Sequence, residues 1–331
     1  MMICKTCVLN SNFPGIKFNA QGICNHCLSH RDIDRQAHLK EEYQAKFESL
    51  IKKYKGKASY DVLVAYSGGK DSSYTLDIFK NKYDLRVLAF TFDNGFISKT
   101  AVENRRRVTE SLDIDHIIIK PRFDILKKIF VAAAKENLYS RKILDRASSI
   151  CTSCISFVKF IALRLAIEKE IPFLGFGWSP GQAPIQSSVM KTNPRLMKMT
   201  QKALFEPLYE VAGDELRLYF LEEKHFQVPE KFPHNIHPLA FLDYDEEKIY
   251  QRITELSWQK PSDTDANSTN CLLNSFANKV HKERYGFHPY AWEIAGIVRS
   301  GGITREEGLE KLNSPENHDI IAHVKQRLGI N

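Results

Sequence analysis

The sequence predicts an α/β protein built on a doubly wound parallel sheet, with a small cysteine-rich unit before the sheet and a helical segment after it. Two observations carry this prediction. Between residues 61 and 177, short runs rich in Val, Ile and Phe alternate with segments of helical periodicity, which is typical of a parallel sheet covered by helices on both faces. At the N-terminus, four cysteines form two closely spaced pairs, which favours a metal-binding unit.

The first two parts of the chain are short. Residues 1–30 are rich in cysteine and in turns and are predicted to form the metal-binding unit. Residues 31–57 are strongly charged, and their apolar side chains, such as Leu39, Tyr43 and Phe47, recur at helical spacing. This periodicity predicts a connecting helix.

The central domain is predicted over residues 58–235. Its strands are expected at 61–66, 86–92, 116–120 and 171–177, and its helices start at about Ser72 and cover about 98–112, 124–138 and 154–169. Right-handed crossovers bring the loops after parallel strands to one edge of a sheet, where ligands bind. The stretch after the fourth strand holds six prolines and is predicted to be mainly loop.

The last part of the chain, residues 236–331, is predicted to be mostly helical. The stretch TREEGLEKL begins with Thr304 and carries Glu307 three residues later. This spacing is typical of a capping box at the start of a helix.

Composition limits the class of protein. The chain has 331 residues, 43% of them hydrophobic, which is enough for a large core, and a net charge of +7. We find no apolar run that approaches the length of a membrane span and no signal-peptide core at the N-terminus, so we expect a cytoplasmic protein without membrane insertion. Basic residues cluster at 99–146 and 191–202, which indicates either a solvated face or a surface for phosphates of a nucleotide-linked substrate or RNA.

The stretch YSGGKDSS directly follows the first predicted strand. Gly68 and Gly69 lack a Cβ atom, so their backbone can approach phosphate oxygens, and the N–H groups here can form an anion-binding nest. Lys70 adds a point charge. Asp71 makes sense beside a phosphate if it helps to hold a magnesium ion on a pyrophosphate. Hydroxyl groups are supplied by Ser67, Ser72 and Ser73.

The pattern S-G-G-x-D-S differs from a Walker A loop and from G-x-G-x-x-G. It resembles the PP-loop of the N-type ATP pyrophosphatases. The resemblance implies that ATP is cleaved between its α and β phosphates, which leaves an adenylated acceptor. It also implies that Asp93 lies near adenine and ribose, and that Gly175 and Gly177 lie near the α-phosphate and ribose. A turn-forming role is the alternative for Asp93, and a packing role is the alternative for the two glycines.

The first set of cysteines has the spacing of two metal-binding knuckles. Cys4 and Cys7 are followed, after sixteen residues, by Cys24 and Cys27. This spacing is a strong signal for a tetrahedral Zn²⁺ site with four thiolates. The stretch between the pairs is long enough only for a small hairpin, so we expect the metal to contribute to folding.

The second set consists of Cys151, Cys154 and Cys271. One interpretation is three ordinary buried thiols, and another is a redox-active pair at Cys151 and Cys154. A third is a three-thiolate metal site beside the ATP site. Three cysteines on a [4Fe–4S] cluster leave one iron open. This layout resembles a branch of PP-loop sulfurtransferases that thiolate tRNA or other acceptors.

The linear motifs resemble another branch of the same superfamily. The stretches CKTCVLNSNFPGIKFNAQGICNHC, SGGKDSSYTL and IVRSGGITREEGLEKL are similar to those of the N-acetyl sugar amidotransferases. That resemblance implies amidation of a sugar acetamido group with ammonia from a separate glutaminase partner. Many PP-loop tRNA thiolases carry a second ribbon at the C-terminus, whereas this chain has no cysteine after Cys271.

These observations favour an enzyme that adenylates an acceptor oxygen and then replaces it with sulfur. Lys70, Asp71 and the second cysteine set would be catalytic, and ATP, Mg²⁺, Zn²⁺ and a [4Fe–4S] cluster would be the cofactors. A small-molecule or sugar-nucleotide acceptor is favoured over tRNA, a sulfur donor is implied, and a homodimer is compatible with the resemblance. Amidation is the second enzyme activity that these observations allow. The alternative outside the enzymes is a module that binds ATP without catalysis.

Overall fold

The computed structural model describes residues 2–30, 33–182, 184–264 and 268–330. Its centre is a six-stranded sheet in the order β3–β2–β1–β4–β6–β5, in which β5 runs antiparallel to β6 and the other neighbours are parallel. The strands are β1 (Val62–Ala65), β2 (Val87–Phe92), β3 (Asp115–Ile119), β4 (Phe173–Phe176), β5 (Val189–Lys191) and β6 (His234–Ile236). The doubly wound parallel sheet predicted from the sequence is therefore confirmed.

Helices cover both faces of this sheet. Those before β4 are α1 (Asn25–Leu28), α2 (Ile33–Tyr54), α3 (Lys70–Asp77), α4 (Lys99–Ser111), α5 (Phe123–Lys135) and α6 (Ser149–Glu168). Those after β4 are α7 (Pro194–Ala212), α8 (Glu223–Phe226), α9 (Pro238–Phe241), α10 (Glu246–Glu255), α11 (Leu273–Tyr285), α12 (Ala291–Arg299), α13 (Arg305–Asn313) and α14 (His318–Leu328).

The strands β1, β2 and β4 are buried on both faces, because their side chains pack alternately into two hydrophobic clusters. In β1, Val62 and Val64 belong to the cluster under α2, α3 and α10, whereas Leu63 belongs to the cluster under α5, α6 and α11. Val64 is aligned with Ala89 of β2 and Gly175 of β4. This alternation explains why the strand sequences are apolar throughout.

The four strands predicted at the centre of the sheet are present, and two features of the loop-rich stretch differ from expectation. The helix α7 occupies 19 residues of it. Pro194 did not signal this helix because it stands in the first turn, where proline has no backbone hydrogen bond to lose, and the Asn193 side chain caps the same turn. The short strands β5 and β6 also lie there, at the edge of the sheet beyond β4.

The C-terminal segment packs against the central domain over much of its length. Helix α10 lies on α3, and α11 lies between α6 and α14. The predicted boundary between residues 235 and 236 falls within β6. The capping box predicted at Thr304 and Glu307 starts α13, with both reciprocal hydrogen bonds formed.

The cysteine-rich N-terminal unit shares a third hydrophobic cluster with the end of the chain. Phe13 contacts Phe287 in an edge-to-face arrangement and stacks on Trp292 of α12. Arg305, at the start of α13, donates from Nε to the backbone oxygens of Cys4 and Cys7 at 3.1 and 3.3 Å. The cysteine-rich N-terminal unit is therefore packed against, and hydrogen-bonded to, the last fifty residues of the sequence.

Contrary to the expectation from sequence, one helix among the described residues is long and apolar enough to cross a membrane by length and composition. This helix is α6, and 61% of its apolar window is buried inside the fold. It lies under the sheet with α5, α7 and α11, which is the position of a core helix.

We predict that Gly175→Ala destabilises the protein by about 1–3 kcal/mol, because a methyl group there would overlap the Phe79 ring in a filled core. Urea denaturation measures this loss. The replacement Phe79→Leu makes room at the same position, so Gly175→Ala should cost less than about 1 kcal/mol in that background. An equal cost in both backgrounds would contradict a steric origin.

Candidate functional site

The SGGKDSS loop lies where β1 ends and α3 begins, and its backbone is tightly enclosed. Gly68 has φ +84°, and a Cβ atom there would lie 2.5 Å from the backbone oxygen of Ala101 in α4. A Cβ atom on Gly177, just after β4, would lie 2.8 Å from the Cα and N atoms of Ser72. These positions leave no room for a side chain, and they bring the end of β4 directly against the loop.

The hydroxyl groups of the loop bond mainly within the loop. Ser67 Oγ lies 3.1 Å from Ser72 Oγ and accepts the N–H of Gly69 at 3.3 Å. Ser72 and Ser73 both donate to the backbone oxygen of Gly69, at 3.1 and 2.9 Å. They fix the turn in which the Gly69 and Lys70 amides begin α3.

Lys70 is buried in a network of acidic and phenolic groups. Its Nζ lies 2.7 Å from Asp71 Oδ1, 2.6 Å from the Tyr244 hydroxyl and 3.3 Å from Glu246 Oε1. Burial would lower the pKa of Lys70, but the charge of Asp71 and the other negative groups raise it well above its ordinary value. Lys311 makes a further ion pair with Glu246 at 3.2 Å. The loop thus holds a fully charged ammonium group.

Two contacts from the C-terminal segment close over the loop. Trp258 Nε1 donates to the backbone oxygen of Gly68 at 2.9 Å, and the Lys70 N–H donates to Thr269 Oγ1 at 3.1 Å. On the other side, Arg105 Nε donates to the backbone oxygen of Ser67 at 3.2 Å. The loop is therefore shaped by residues that are distant from it in sequence.

Asp93 takes part in a turn and in an ion pair. Its Oδ1 accepts the N–H of Gly95 at 2.9 Å, and its Oδ2 lies 3.5 Å from Lys120 Nζ. The turn-forming role considered from the sequence is present, and the contact with adenine and ribose stays a prediction. Gly175 faces the ring of Phe79, which fits the packing alternative for this glycine.

The second cysteine set comes together around Asn94, which follows Asp93. Asn94 Nδ2 donates to Cys154 Sγ at 3.3 Å and to Cys271 Sγ at 3.4 Å, so the two sulfurs can be no further apart than the sum of these distances. Cys151 stands in the first turn of α6, and its sulfur is 3.9 Å from Asn274 Nδ2. Cys154 and Cys271, which are more than a hundred residues apart in sequence, thus meet at one amide, and Cys151 lies one turn before Cys154 on α6.

Burial raises the pKa of all three thiols. That of Cys151 is raised to about 11, and those of Cys154 and Cys271 are raised as well, since charged sulfur is poorly solvated here. Arg105 partly opposes the effect at Cys271. Thiols of this kind are inert as free nucleophiles, whereas a bound metal would hold them deprotonated.

The segment from Ser268 to Cys271 connects the two halves of the site. Thr269 accepts the N–H of Lys70 in the loop, and two residues later Cys271 reaches the Asn94 amide beside Cys154. A bridge between Cys271 and Ile97 and a hydrogen bond from the Ser98 N–H to the Asn270 oxygen hold the segment against the chain after β2. The SGGKDSS loop is therefore close to Cys271 and, through Asn94, to Cys154.

The N-terminal cysteines form a separate, closed cluster. All four sulfurs lie within 4.8 Å of one another. The Cys4–Cys27 and Cys7–Cys24 sulfur distances are 3.9 and 3.8 Å. A tetrahedron of Zn–S bonds of about 2.3 Å has edges of about 3.8 Å, so the donors fit this ion. The backbone N–H groups of Thr6 and Cys24 point at Cys4 Sγ, as expected around a thiolate.

Glu293 of α12 is a site residue that the sequence did not indicate. Its carboxylate accepts from Ser179 Oγ at 2.8 Å and from Gln182 Nε2 at 2.9 Å, in the turn that follows β4. Gly181 in this turn touches the Glu293 backbone so closely that a Cβ atom would overlap it. Burial raises the pKa of Glu293 to about 7, and the charge of Asp71 adds to this effect.

Tyr244, Glu246, Trp258 and Thr269 were also not indicated by sequence. Each acts through contacts with the loop that span more than 170 residues. The only local indication of Tyr244 and Glu246 is the acid-rich stretch FLDYDEEK. Such a stretch is equally typical of the start of an ordinary helix.

No family model matches this chain. It is 26% identical over 339 aligned residues to the uncharacterized protein MJ1599 of Methanocaldococcus jannaschii, and the alignment covers 99% of each chain. The two proteins are therefore similar over their whole length, cysteine-rich start included.

Several solved structures are similar at low levels. The U34-tRNA thiolase NcsA of Methanococcus maripaludis with its [4Fe–4S] cluster is 18% identical, with coverage of 100% of this chain and 99% of that chain and a TM-score of 0.37. The NH3-dependent NAD synthetase of Campylobacter jejuni is 14% identical, with coverage of 89% and 93% and a TM-score of 0.36. The NMN synthetase of Francisella tularensis is 11% identical, with coverage of 89% and 97% and a TM-score of 0.38. These values are too low to transfer an activity.

We predict that the free energy of unfolding of the Glu293→Gln variant, relative to that of the unchanged protein, increases as the pH rises from 5 to 8. The folded protein binds the Glu293 proton more tightly than the unfolded chain does, because the folded pKa of about 7 exceeds the ordinary value of 4.5. Stability is therefore lost between these two pKa values as the pH rises. The uncharged glutamine escapes this loss, which amounts to at most about 3 kcal/mol.

Urea denaturation at pH 5 and pH 8 measures this difference. Glu316→Gln is a suitable control, because ion pairs with Lys279 and Lys282 lower the pKa of Glu316 against the effect of burial. Its cost should be the same at both pH values. A Glu293→Gln effect that is equally independent of pH would show that Glu293 titrates in its ordinary range.

Proposed function

We propose that this chain is a PP-loop ATP pyrophosphatase that adenylates an acceptor oxygen and then replaces this oxygen with sulfur. The observation that carries the proposal is the segment from Ser268 to Cys271. Through Thr269 it contacts the loop amide of Lys70, and through Cys271 it meets Cys154 at the Asn94 amide. An adenylated intermediate formed at the loop would therefore need to move little to meet sulfur chemistry.

The loop residues suit the first half of the reaction. The Lys70 ammonium group would bind the phosphates of ATP, and the Gly69 and Lys70 amides would join it by exchanging their bonds to Ser67 Oγ and Thr269 Oγ1 for phosphate oxygens. Asp71 would hold Mg²⁺, which neutralises the charge that develops on the pyrophosphate. The acceptor oxygen forms a bond to the α-phosphorus, the bond between the α-phosphorus and the bridging oxygen breaks, and pyrophosphate leaves. Preorganised donors lower the cost of this charge transfer.

In the second half a hydrosulfide-type sulfur attacks the activated carbon. A carbon–sulfur bond forms, the carbon–oxygen bond breaks, AMP leaves with the oxygen, and the sulfur's proton goes to solvent. Cys151, Cys154 and Cys271 would hold a [4Fe–4S] cluster, which supplies an open iron for a sulfur donor. The burial of these thiols and the Asn94 amide shared by two of them fit thiolate ligands that need hydrogen-bond donors.

The N-terminal cysteines would hold a structural Zn²⁺ ion. Their sulfurs are spaced as the edges of a zinc tetrahedron, and four thiolates close the coordination shell. This ion would stabilise the surface on which α12 and α13 rest, and these helices carry Glu293 and Lys311 to the site.

Amidation with ammonia from a glutaminase partner is the second candidate. The observation that favours it is the similarity of the N-terminal cysteine stretch and of the stretch IVRSGGITREEGLEKL to N-acetyl sugar amidotransferases, since these two stretches pack against each other. Both candidates share the adenylation step. They differ only in the nucleophile that displaces AMP.

We predict that protein purified without oxygen carries about four iron atoms and about one zinc atom per chain. Alanine at Cys151, Cys154 or Cys271 should remove the iron and leave the zinc and the binding of ATP. Metal analysis, absorbance in the violet region and calorimetry with ATP measure these outcomes. Ile155→Ala is the matched control, because Ile155 lies on the same turn of α6 with an exposed side chain.

Zinc without iron in protein purified in this way would overturn the sulfur mechanism. Stimulation of AMP formation by a glutaminase and glutamine would favour amidation instead. If ATP is bound tightly but never converted to AMP with any acceptor, the chain is an ATP-binding module rather than an enzyme.

We further predict that removal of zinc by a chelator loosens the end of the chain. Amide hydrogen exchange in α12 and α13 should rise by about tenfold or more, because these helices rest on the N-terminal unit. Exchange in α5, on the other side of the sheet, should not change. Arg305→Ala removes the hydrogen bonds to the backbone oxygens of Cys4 and Cys7. It should also raise amide hydrogen exchange in α12 and α13, but by less than removal of zinc does.

A further inference from the structure

Two arginines converge on Trp292 beside the turn that follows β4. The guanidinium carbon of Arg146 and that of Arg299 each lie 5.3 Å from the centre of the Trp292 ring. Arg146 stands in the loop before α6, five residues from Cys151, whereas Arg299 ends α12. The two charges thus come from the loop before α6 and from the end of α12, and they meet at one indole ring.

The charges of these arginines are not neutralised in the described parts of the chain. Neither forms an ion pair there, and Arg299 Nη1 is buried without a hydrogen-bond partner. Two acids are near in sequence. Glu293 is turned towards Ser179 and Gln182. Burial raises the pKa of Asp145, and the charges of Arg141, Arg146 and Lys142 partly oppose this rise, but Asp145 forms no ion pair with Arg146. Two guanidinium groups on one ring, neither ion-paired with a described carboxylate, form an unusual concentration of positive charge.

The position of the pair relates it to the site. Arg146 Nη1 donates to the backbone oxygen of Gln182 at 3.4 Å, and this turn follows the end of β4 that touches the ATP loop. Trp292 is held from its other sides by Phe13, which stacks on it, and by His26, which meets it edge-on. The indole is thereby a fixed support. Arg146 is exposed and uses one donor in its bond to Gln182, whereas Arg299 is half-buried and its Nη1 has no partner.

We propose that Arg146 and Arg299 bind a phosphate group of the acceptor at the mouth of the site. Guanidinium groups bind phosphate oxygens through paired N–H donors, and a preformed pair on a rigid ring loses little entropy when it does so. The acceptor class is therefore a phosphate-bearing molecule, either a nucleotide-linked sugar or RNA. This inference rests on the proposed function for the site at which the acceptor reacts.

The test measures binding of two probes, UDP-N-acetylglucosamine and unfractionated tRNA. The ATP loop is first saturated with α,β-methylene-ATP, so that neither probe occupies it. Arg146→Ala with Arg299→Ala should weaken binding of at least one probe by about tenfold or more. For tRNA the salt dependence of binding should fall by about one ion for each arginine removed. Loss for only one probe identifies the source of the phosphate.

The control is Arg141→Ala. Arg141 is exposed on the same loop, and its guanidinium carbon lies 5.9 Å from the ring of Tyr285 rather than Trp292. It should change binding by less than about twofold. Arg146→Lys with Arg299→Lys should retain part of the affinity, because the charge remains while the paired donors are lost. Tight binding of the ATP analogue and unchanged zinc content show that each variant is folded.

The proposal is overturned if the double alanine variant binds both probes as the unchanged protein does, if Arg141→Ala weakens binding equally, or if the unchanged protein binds neither probe at low salt. Failure of the proposed function has a different signature. Protein without iron would remove the sulfur mechanism, yet an arginine-dependent loss of probe binding would still establish the phosphate site.

Discussion

The site depends on one steric constraint, the absence of any space for a side chain at Gly68 and Gly177. Because α4 lies against the first and the start of α3 against the second, the backbone of the SGGKDSS loop is closely confined. The loop amides then point in fixed directions, and the partners that complete the site can bond to backbone atoms whose positions are set. Trp258 and Thr269 do so. Preorganisation of this kind stabilises charge without a cost of rearrangement during the reaction.

Much of the fold was predictable from local patterns. Apolar runs between helical segments identify four strands, and the YSGGKDSS stretch identifies the loop because strand, glycines and helix are adjacent in sequence. The two N-terminal cysteine pairs are equally local. Helix α7 was not predictable, because the prolines that suggested loops are tolerated in its first turn and, at Pro207, in its interior. The short strands β5 and β6 have only three residues each, too few for a period to be read.

The candidate site was predictable only in part, for a physical reason. Cys271 was identified by its residue type, but nothing local to Thr269 or Tyr244 distinguishes them from ordinary loop residues. They become site residues through contacts between parts of the chain that are far apart in sequence. Glu293 belongs to the same class, since its role follows from the close backbone contact with Gly181. Such residues are visible only after the fold has brought the C-terminal helices across the ligand edge of the sheet.

The docking of the N-terminal unit on the end of the chain has a consequence for synthesis. This unit leaves the ribosome more than 250 residues before Phe287 and the α12 residues that complete its core. At about 5–20 residues per second, roughly fifteen seconds to one minute separate the two events. During that interval the thirty residues have no partner surface, and a core of that size is too small to be stable alone. Metal bound at Cys4, Cys7, Cys24 and Cys27 would keep the nascent segment folded until its partner arrives, so metal supply during translation would decide how much protein matures.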